Sequence, residues 1–199
     1  MMTRRNFLFY AMFCLMTASA ACAGNTPAPG DKKVHREGNF FAAVLPEGWT
    51  IVPASGLGLS PEEKKVYGVS LSGPSDGLAS APLISAHYYA PDNLMDKNPE
   101  KYIRVHSLPE GAKPAAMPAP PKVPGAKVGG RKARLFVNIT HERGADRTIG
   151  GGAEIWEGFA VIPLKKGYYA LRYSAPAAKY TQFLPVFEAF VASFKPLMK

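Results

Sequence analysis

The strongest pattern lies at the end of the chain, where the hydrophobic period changes once. In residues 168–174, Tyr169, Leu171 and Tyr173 fall on one side and Tyr168, Ala170 and Arg172 on the other, the two-residue alternation of a strand. After Pro176, the residues Phe183, Val186, Phe187, Phe190, Val191 and Phe194 recur at helical spacing and form one apolar stripe. Each such side chain contributes about 1.5 to 3 kcal/mol when buried, so the rest of the domain is expected to supply a surface for this helix. Pro185 either kinks the helix or marks the first turn of its main part, and Pro196 stops it.

Strands dominate upstream. Residues 39–52 (NFFAAVLPEGWTIV) read as two short strands around a Pro46-Glu47-Gly48 turn, with Trp49 as a core anchor. Residues 65–72 (KVYGVSLS) and 82–90 (PLISAHYYA) predict neighbouring strands of one antiparallel sheet. Residues 98–108 predict a helix, with Asn98 as cap, Pro99 at the first position and Glu100 in the first turn. Residues 131–143 (RKARLFVNITHER) and 154–163 (EIWEGFAVIP) return to strand, and Lys165-Lys166-Gly167 joins the second of these to 168–174 as a long hairpin. Between helix and strands, residues 109–130 carry Pro114, Pro118, Pro120, Pro121 and Pro124 among Ala, Gly and Lys, and predict a long mobile surface loop. A linker between two domains is the alternative. The segment before the loop lacks a closing core and the strands after it resume the same pattern, so residues 39–199 are read as one α+β domain.

The first 23 residues are of a different kind. Arg4 and Arg5 precede an apolar run from Phe7 to Met16 and a stretch of small residues, the layout of a bacterial export signal with a run too short for a comfortable transmembrane helix. Thr3-Arg4-Arg5-Asn6-Phe7-Leu8 resembles the twin-arginine pattern, and an ordinary Sec signal whose basic start contains two arginines is the other reading. Ser19-Ala20-Ala21-Cys22 resembles a lipobox with Ser19 in place of the usual leucine, which makes Cys22 the candidate lipidation site. Ordinary signal-peptidase cleavage after Ala20 or Ala23 competes with it. Cys14, the other cysteine of two, lies in the apolar run, so neither an intramolecular disulfide nor cysteine catalysis is expected of the mature domain. Lipidation would tether the protein to a membrane without spanning it. Residues 24–38, with Pro27, Pro29, Gly30 and then Lys32, Lys33, His35, Arg36 and Glu37, read as a flexible tether. The expected location is periplasmic, lipid-anchored if Cys22 is modified.

Charge narrows the partners. The chain has 24 Lys plus Arg against 15 Asp plus Glu, a net charge of +9, and loss of Arg4 and Arg5 with the export segment leaves about +7. Lys and Arg are scattered, with short clusters at Lys32-Lys33, Lys64-Lys65, Arg131 to Arg134 and Lys165-Lys166, which reads as a solubilising surface; the sharper alternative is a docking patch for anionic lipid, cell-wall polymer or an acidic protein. Nucleic acid is set aside, because an exported protein meets little of it and the aromatic residues sit at core periods without a basic stripe between them.

Motifs for chemistry are sparse. His35, His87, His106 and His141 show no metal-ligand spacing, and His141-Glu142 with Asp146 is better read as a solvated strand end than as a metal site. His87 beside Tyr88 and Tyr89 reads as a satisfied, half-buried residue. Gly150-Gly151-Gly152 lacks the following helix and the Lys-Ser/Thr of a phosphate loop, and no serine stands in a G-x-S-x-G elbow. Neither a metal nor a cofactor is expected. If a ligand pocket exists between sheet and loop, Tyr88, Tyr89, His141 and Trp156 are its candidate liners.

The opening residues 40–49, an apolar strand followed by Leu45-Pro46-Glu47-Gly48-Trp49, together with residues 168–176 (YYALRYSAP) and 180–194, resemble the PsbP-like family, which includes photosystem II extrinsic proteins and DcrB-type bacterial envelope lipoproteins. The likeness spans the mature domain, with its specific part at the two ends. It implies an α/β/α sandwich, a central antiparallel sheet with helices on both faces. It also implies a non-enzymatic accessory or assembly protein of the envelope that binds a protein partner or a membrane surface, and it supplies no catalytic residues. A periplasmic small-ligand or cation-binding protein is the alternative.

Overall fold

A computed structural model describes residues 33–53, 58–75, 77, 80–108, 125–142 and 152–198. The segment predicted to be an export signal, Cys22, residues 109–124 and Asp146 fall outside the described residues.

The predicted hairpin, β8 (Glu154–Pro163) and β9 (Tyr168–Pro176), is the middle of a seven-stranded sheet. Its order is β3 (Thr50–Val52), β4 (Val66–Ser72), β5 (Leu83–Tyr89), β9, β8, β7 (Arg131–His141) and β6 (Gly125–Val128), with every neighbour antiparallel. All but Arg172 of β9 is buried, as a strand covered on both faces must be. The covers are helices. Tyr169, Leu171 and Tyr173 face α3 (Ala177–Ser193), while Tyr168, Ala170 and Arg172 face α2 (Pro99–His106); a short α1 (Pro61–Lys64) leads into β4. The α/β/α layering expected of the sequence is the architecture found.

Helix α3 differs from its predicted form. It starts at Ala177, directly after the strand, so Tyr180 and Leu184 join Phe187 and Phe190 on the buried stripe while Phe183, Val186 and Val191 are half-buried. Tyr173 meets Tyr180 at 4.8 Å and Phe187 at 5.5 Å between ring centres. Pro185 therefore lies inside the helix, on its exposed side, where water can satisfy the carbonyl that its missing N–H leaves without a partner.

Beside the end of α3 stands a three-stranded sheet, β1 (Val34–Glu37), β2 (Phe41–Val44) and β10 (Lys195–Pro196), in the order β1-β2-β10. This corrects the expected tether, whose residues 34–37 form an edge strand. Its VHRE sequence has no apolar period because the strand is held by main-chain pairing, Val34 to Val44 through Glu37 to Phe41. Residues 125–128, expected to lie in the mobile loop, are edge strand β6 for the same reason, with Val128 alone buried. The two strands flanking the Pro-Glu-Gly turn part company into different sheets, and Trp49 between them is buried edge-on to Phe183 at 6.0 Å. On the other face α2, capped by Asn98 accepting from the Lys101 N–H at 2.8 Å, sets Tyr102 and Ile103 onto Phe159, Val161, Tyr168 and Ala170.

Candidate functional site

Three connections meet at one end of the sheet: the α1–β4 junction, residues 90–98 between β5 and α2, and the β8–β9 turn. The Ala90 N–H donates to the Lys65 carbonyl and the Leu94 N–H to the Lys64 carbonyl, both at 3.0 Å. The Tyr168 hydroxyl donates to the Asp96 carbonyl at 3.0 Å, and that of Tyr88 to the Lys166 carbonyl at 3.1 Å. One side chain organises the middle connection. Asn93, 3% exposed, donates from Nδ2 to the carbonyls of Ala90 and Asp96, both at 2.9 Å. Its Oδ1 accepts from the Met95 N–H at 3.1 Å and the Asp96 N–H at 2.8 Å. The turn so fixed holds Leu94 outward at 63% exposure and Met95 at 41%.

Met95 also borders a hollow of about 130 Å³ lined by Lys64, Val66, Gly68, His87 and Tyr89. Gly68 pairs with His87 in register, and a Cβ there would stand 2.1 Å from the Ala86 carbonyl oxygen and 2.6 Å from His87 Cδ2. Only glycine admits this close approach. Burial, reinforced by the charges of Lys64 and Arg172, pushes the His87 imidazole down to about 4, so it is neutral at neutral pH. Burial and the Asp96 charge push the Tyr89 phenol up to about 12. Lys64, the last residue of α1, is 8% exposed. Arg172, on the same face, is ion-paired with the buried Glu157 and 5.9 Å from the Phe159 ring, so Lys64 is the cation that lines the hollow. The hollow suits a small anion better than a cation.

The predicted liners do not form one site. Tyr88 and Tyr89 are consecutive in a strand and point to opposite faces: Tyr88 stacks on Phe40 at 4.9 Å, and Tyr89 on Tyr168 at 4.7 Å, where it also lines the hollow. Trp156 and His141 lie at the other end of the sheet, on strands β8 and β7, where Ile139 pairs with Trp156 and His141 with Glu154. Trp156 packs 5.5 Å from Tyr180 and donates to the Glu154 carboxylate. A second hollow, of about 170 Å³, opens near that end between Leu83, Glu142, Ile155, Ser174 and Pro176. Among the described residues no group of three or more metal-ligating side chains converges. Lys64 and His87 went unnoticed as a pair in the sequence, although Gly68, a lone glycine within a strand, is the signal of a close approach there.

No family model matches the sequence, and no curated protein does. Among solved structures, the chain is similar to the crystal structure of LpqN, involved in cell envelope biogenesis of Mycobacterium tuberculosis, at 12% identity and a TM-score of 0.43 over 83% of this chain and 85% of that one. A likeness at that level assigns no role to the present chain.

Proposed function

We propose that the protein is a non-enzymatic, exported accessory or assembly factor of the cell envelope that acts by binding a protein partner or a membrane surface. The export signal and the PsbP-like character of the two chain ends support the envelope setting. The observation that carries the binding role is the turn at Asn93, where four hydrogen bonds hold two apolar side chains in water. A folded loop has no need of such exposure for its own stability. Beside it the hollow, at about 130 Å³, falls short of the roughly 300 to 1,000 Å³ of ordinary small-molecule sites.

A photo-crosslinker placed at Leu94 in cells tests this. A discrete envelope adduct, absent when the crosslinker stands at an exposed position at the opposite end of the sheet such as Ala153, is expected; identical labelling from both positions would sink the reading. Intact mass of the native chain beside Cys22→Ser decides the anchor, with a heavier, acylated form expected only for the native chain. The second reading, a small-ligand protein, is favoured by one observation, the Lys64–His87 hollow. It takes an anion in place of the cation considered from sequence, and it predicts that phosphate or acetate raises the melting temperature of the native protein but not of Lys64→Met.

A further inference from the structure

We propose that the end of the sheet carrying Leu94 is a docking surface for an anionic lipid bilayer, with Leu94 and Met95 entering the interface and Lys65, Lys97, Lys165 and Lys166 engaging its headgroups. This rests on the envelope reading and names the partner and the place.

Geometry and charge meet here. Leu94 and Met95 are adjacent at a loop tip, exposed, and fixed by the Asn93 hydrogen bonds, so their insertion needs no reordering of the loop. Single exposed apolar residues are ordinary on a protein surface, but a pinned pair ringed by lysines is the arrangement of an interfacial anchor. The ring is built by contacts already described: Lys65 caps α1 in a left-handed conformation with φ 54° and accepts from Ala90, and Lys165 and Lys166 sit on the turn that Tyr88 and Tyr168 tie to the loop. All four lysines are exposed and enter no ion pair among the described residues. Acidic neighbours exist. Glu63 is held by the backbone N–H of Ser60 at 2.7 Å and Asp96 faces Lys101 at 3.6 Å, which leaves Glu62 and Asp92 as the opposing exposed carboxylates. Arg131 and Lys132, at the same end of β7, add to the positive side. A protein groove would satisfy Leu94 and Met95 equally, but an excess of unpaired lysines around them favours a surface of continuous negative charge over one acidic patch.

The Cys22→Ser chain, freed of any acyl group, is mixed with vesicles of phosphatidylcholine alone or with phosphatidylglycerol, and bound protein is measured by flotation. Binding is expected only with phosphatidylglycerol and is expected to weaken with salt. Lys165→Glu with Lys166→Glu lowers it by roughly 25-fold or more, since each cation near such a surface strengthens binding by about fivefold. Leu94→Ser with Met95→Ser lowers it by a similar factor with melting temperature unchanged. In the same background with Cys14→Ser added, Met95→Cys, labelled with a polarity-sensitive dye, shifts to the blue on phosphatidylglycerol vesicles, whereas Ala153→Cys, exposed at the opposite end of the sheet, does not. Equal affinity for both vesicle types, or variants that bind as the parent does, overturns the proposal. Crosslinking from Leu94 to a protein in cells, with no vesicle binding, also overturns it while leaving the accessory role intact.

Discussion

The two faces of the central sheet are covered very differently. Under α3, 17 residues long, the face is dry and its tyrosines are fastened by their hydroxyls: Tyr173 donates to the Tyr180 carbonyl at 2.8 Å and Tyr169 to that of Phe40 at 2.5 Å. Under α2, only eight residues long, the aromatic cluster is flanked by His87, His106 and the Arg172–Glu157 pair. Charge is tolerated there because the short helix leaves the edge of the face near water. One face holds the fold together, and the other has room for groups that respond to what surrounds the protein.

If that division is right, the largest loss comes from the first face. Phe190→Ala removes a ring buried between α3 and the sheet and should cost about 3 to 5 kcal/mol, read as a fall in the urea midpoint at constant slope. A cost below about 1.5 kcal/mol would mean that α3 is not the keystone its packing suggests.

The second face should show itself in pH. The folded His87 binds its proton near 4, below the ordinary value of 6.5, so in the interval between them the unfolded chain holds more protons. Stability therefore falls as the pH drops from about 6.5 toward 4, by roughly 3 kcal/mol if this group acts alone, and His106, also shifted down by burial, adds in the same direction. Urea titrations across that interval should show the slope in the native chain and a flatter one in His87→Asn. Identical slopes would place His87 in water.

Gly68→Ala probes the same spot through the backbone. A Cβ 2.1 Å from the Ala86 carbonyl oxygen forces β4 and β5 apart, at a cost of about 1 to 3 kcal/mol, with amide exchange accelerated along that strand pair. An unchanged midpoint would show that the strands have slack at His87, and the hollow would lose its fixed shape.

How legible this was depended on what each residue does with its side chain. Strands β4, β5, β7, β8 and β9 and helix α2 were visible because burial on one side or both gives a hydrophobic period, and Asn98-Pro99 marks a helix start by its chemistry. Strands β1 and β6 were hidden, since Val34–Glu37 and Gly125–Val128 contribute main-chain hydrogen bonds at a sheet edge and almost no buried surface. The site was less legible still. Grouping Tyr88 with Tyr89 ran against the alternation of a strand, which sends neighbours to opposite faces. Lys64-Lys65 looked like a solubilising pair, yet Lys64 is buried and Lys65 is exposed. Asn93 is an unremarkable letter in a loop, because its four hydrogen bonds depend on where the chain returns.

Asn93 therefore offers the smallest but most specific test of the difference between the faces. Asn93→Ala strips two acceptor and two donor contacts from a loop that carries little of the core, so the cost should be about 1 to 2 kcal/mol, well below that of Phe190→Ala. Its local effect should be large: exchange of the Met95 and Asp96 amides should speed by roughly tenfold, since a bond of about 1.4 kcal/mol is worth that factor. Asn93→Asp separates the two halves of the network. It keeps an acceptor for those amides but loses the donor to Ala90 and Asp96, so protection at Met95 should return while the loop stays detached from its base. If Asn93→Ala leaves both amides as slow as before, the exposure of Leu94 and Met95 is not imposed by Asn93, and the rigidity that makes this end a docking surface must come from the Leu94–Lys64 and Tyr168–Asp96 hydrogen bonds instead.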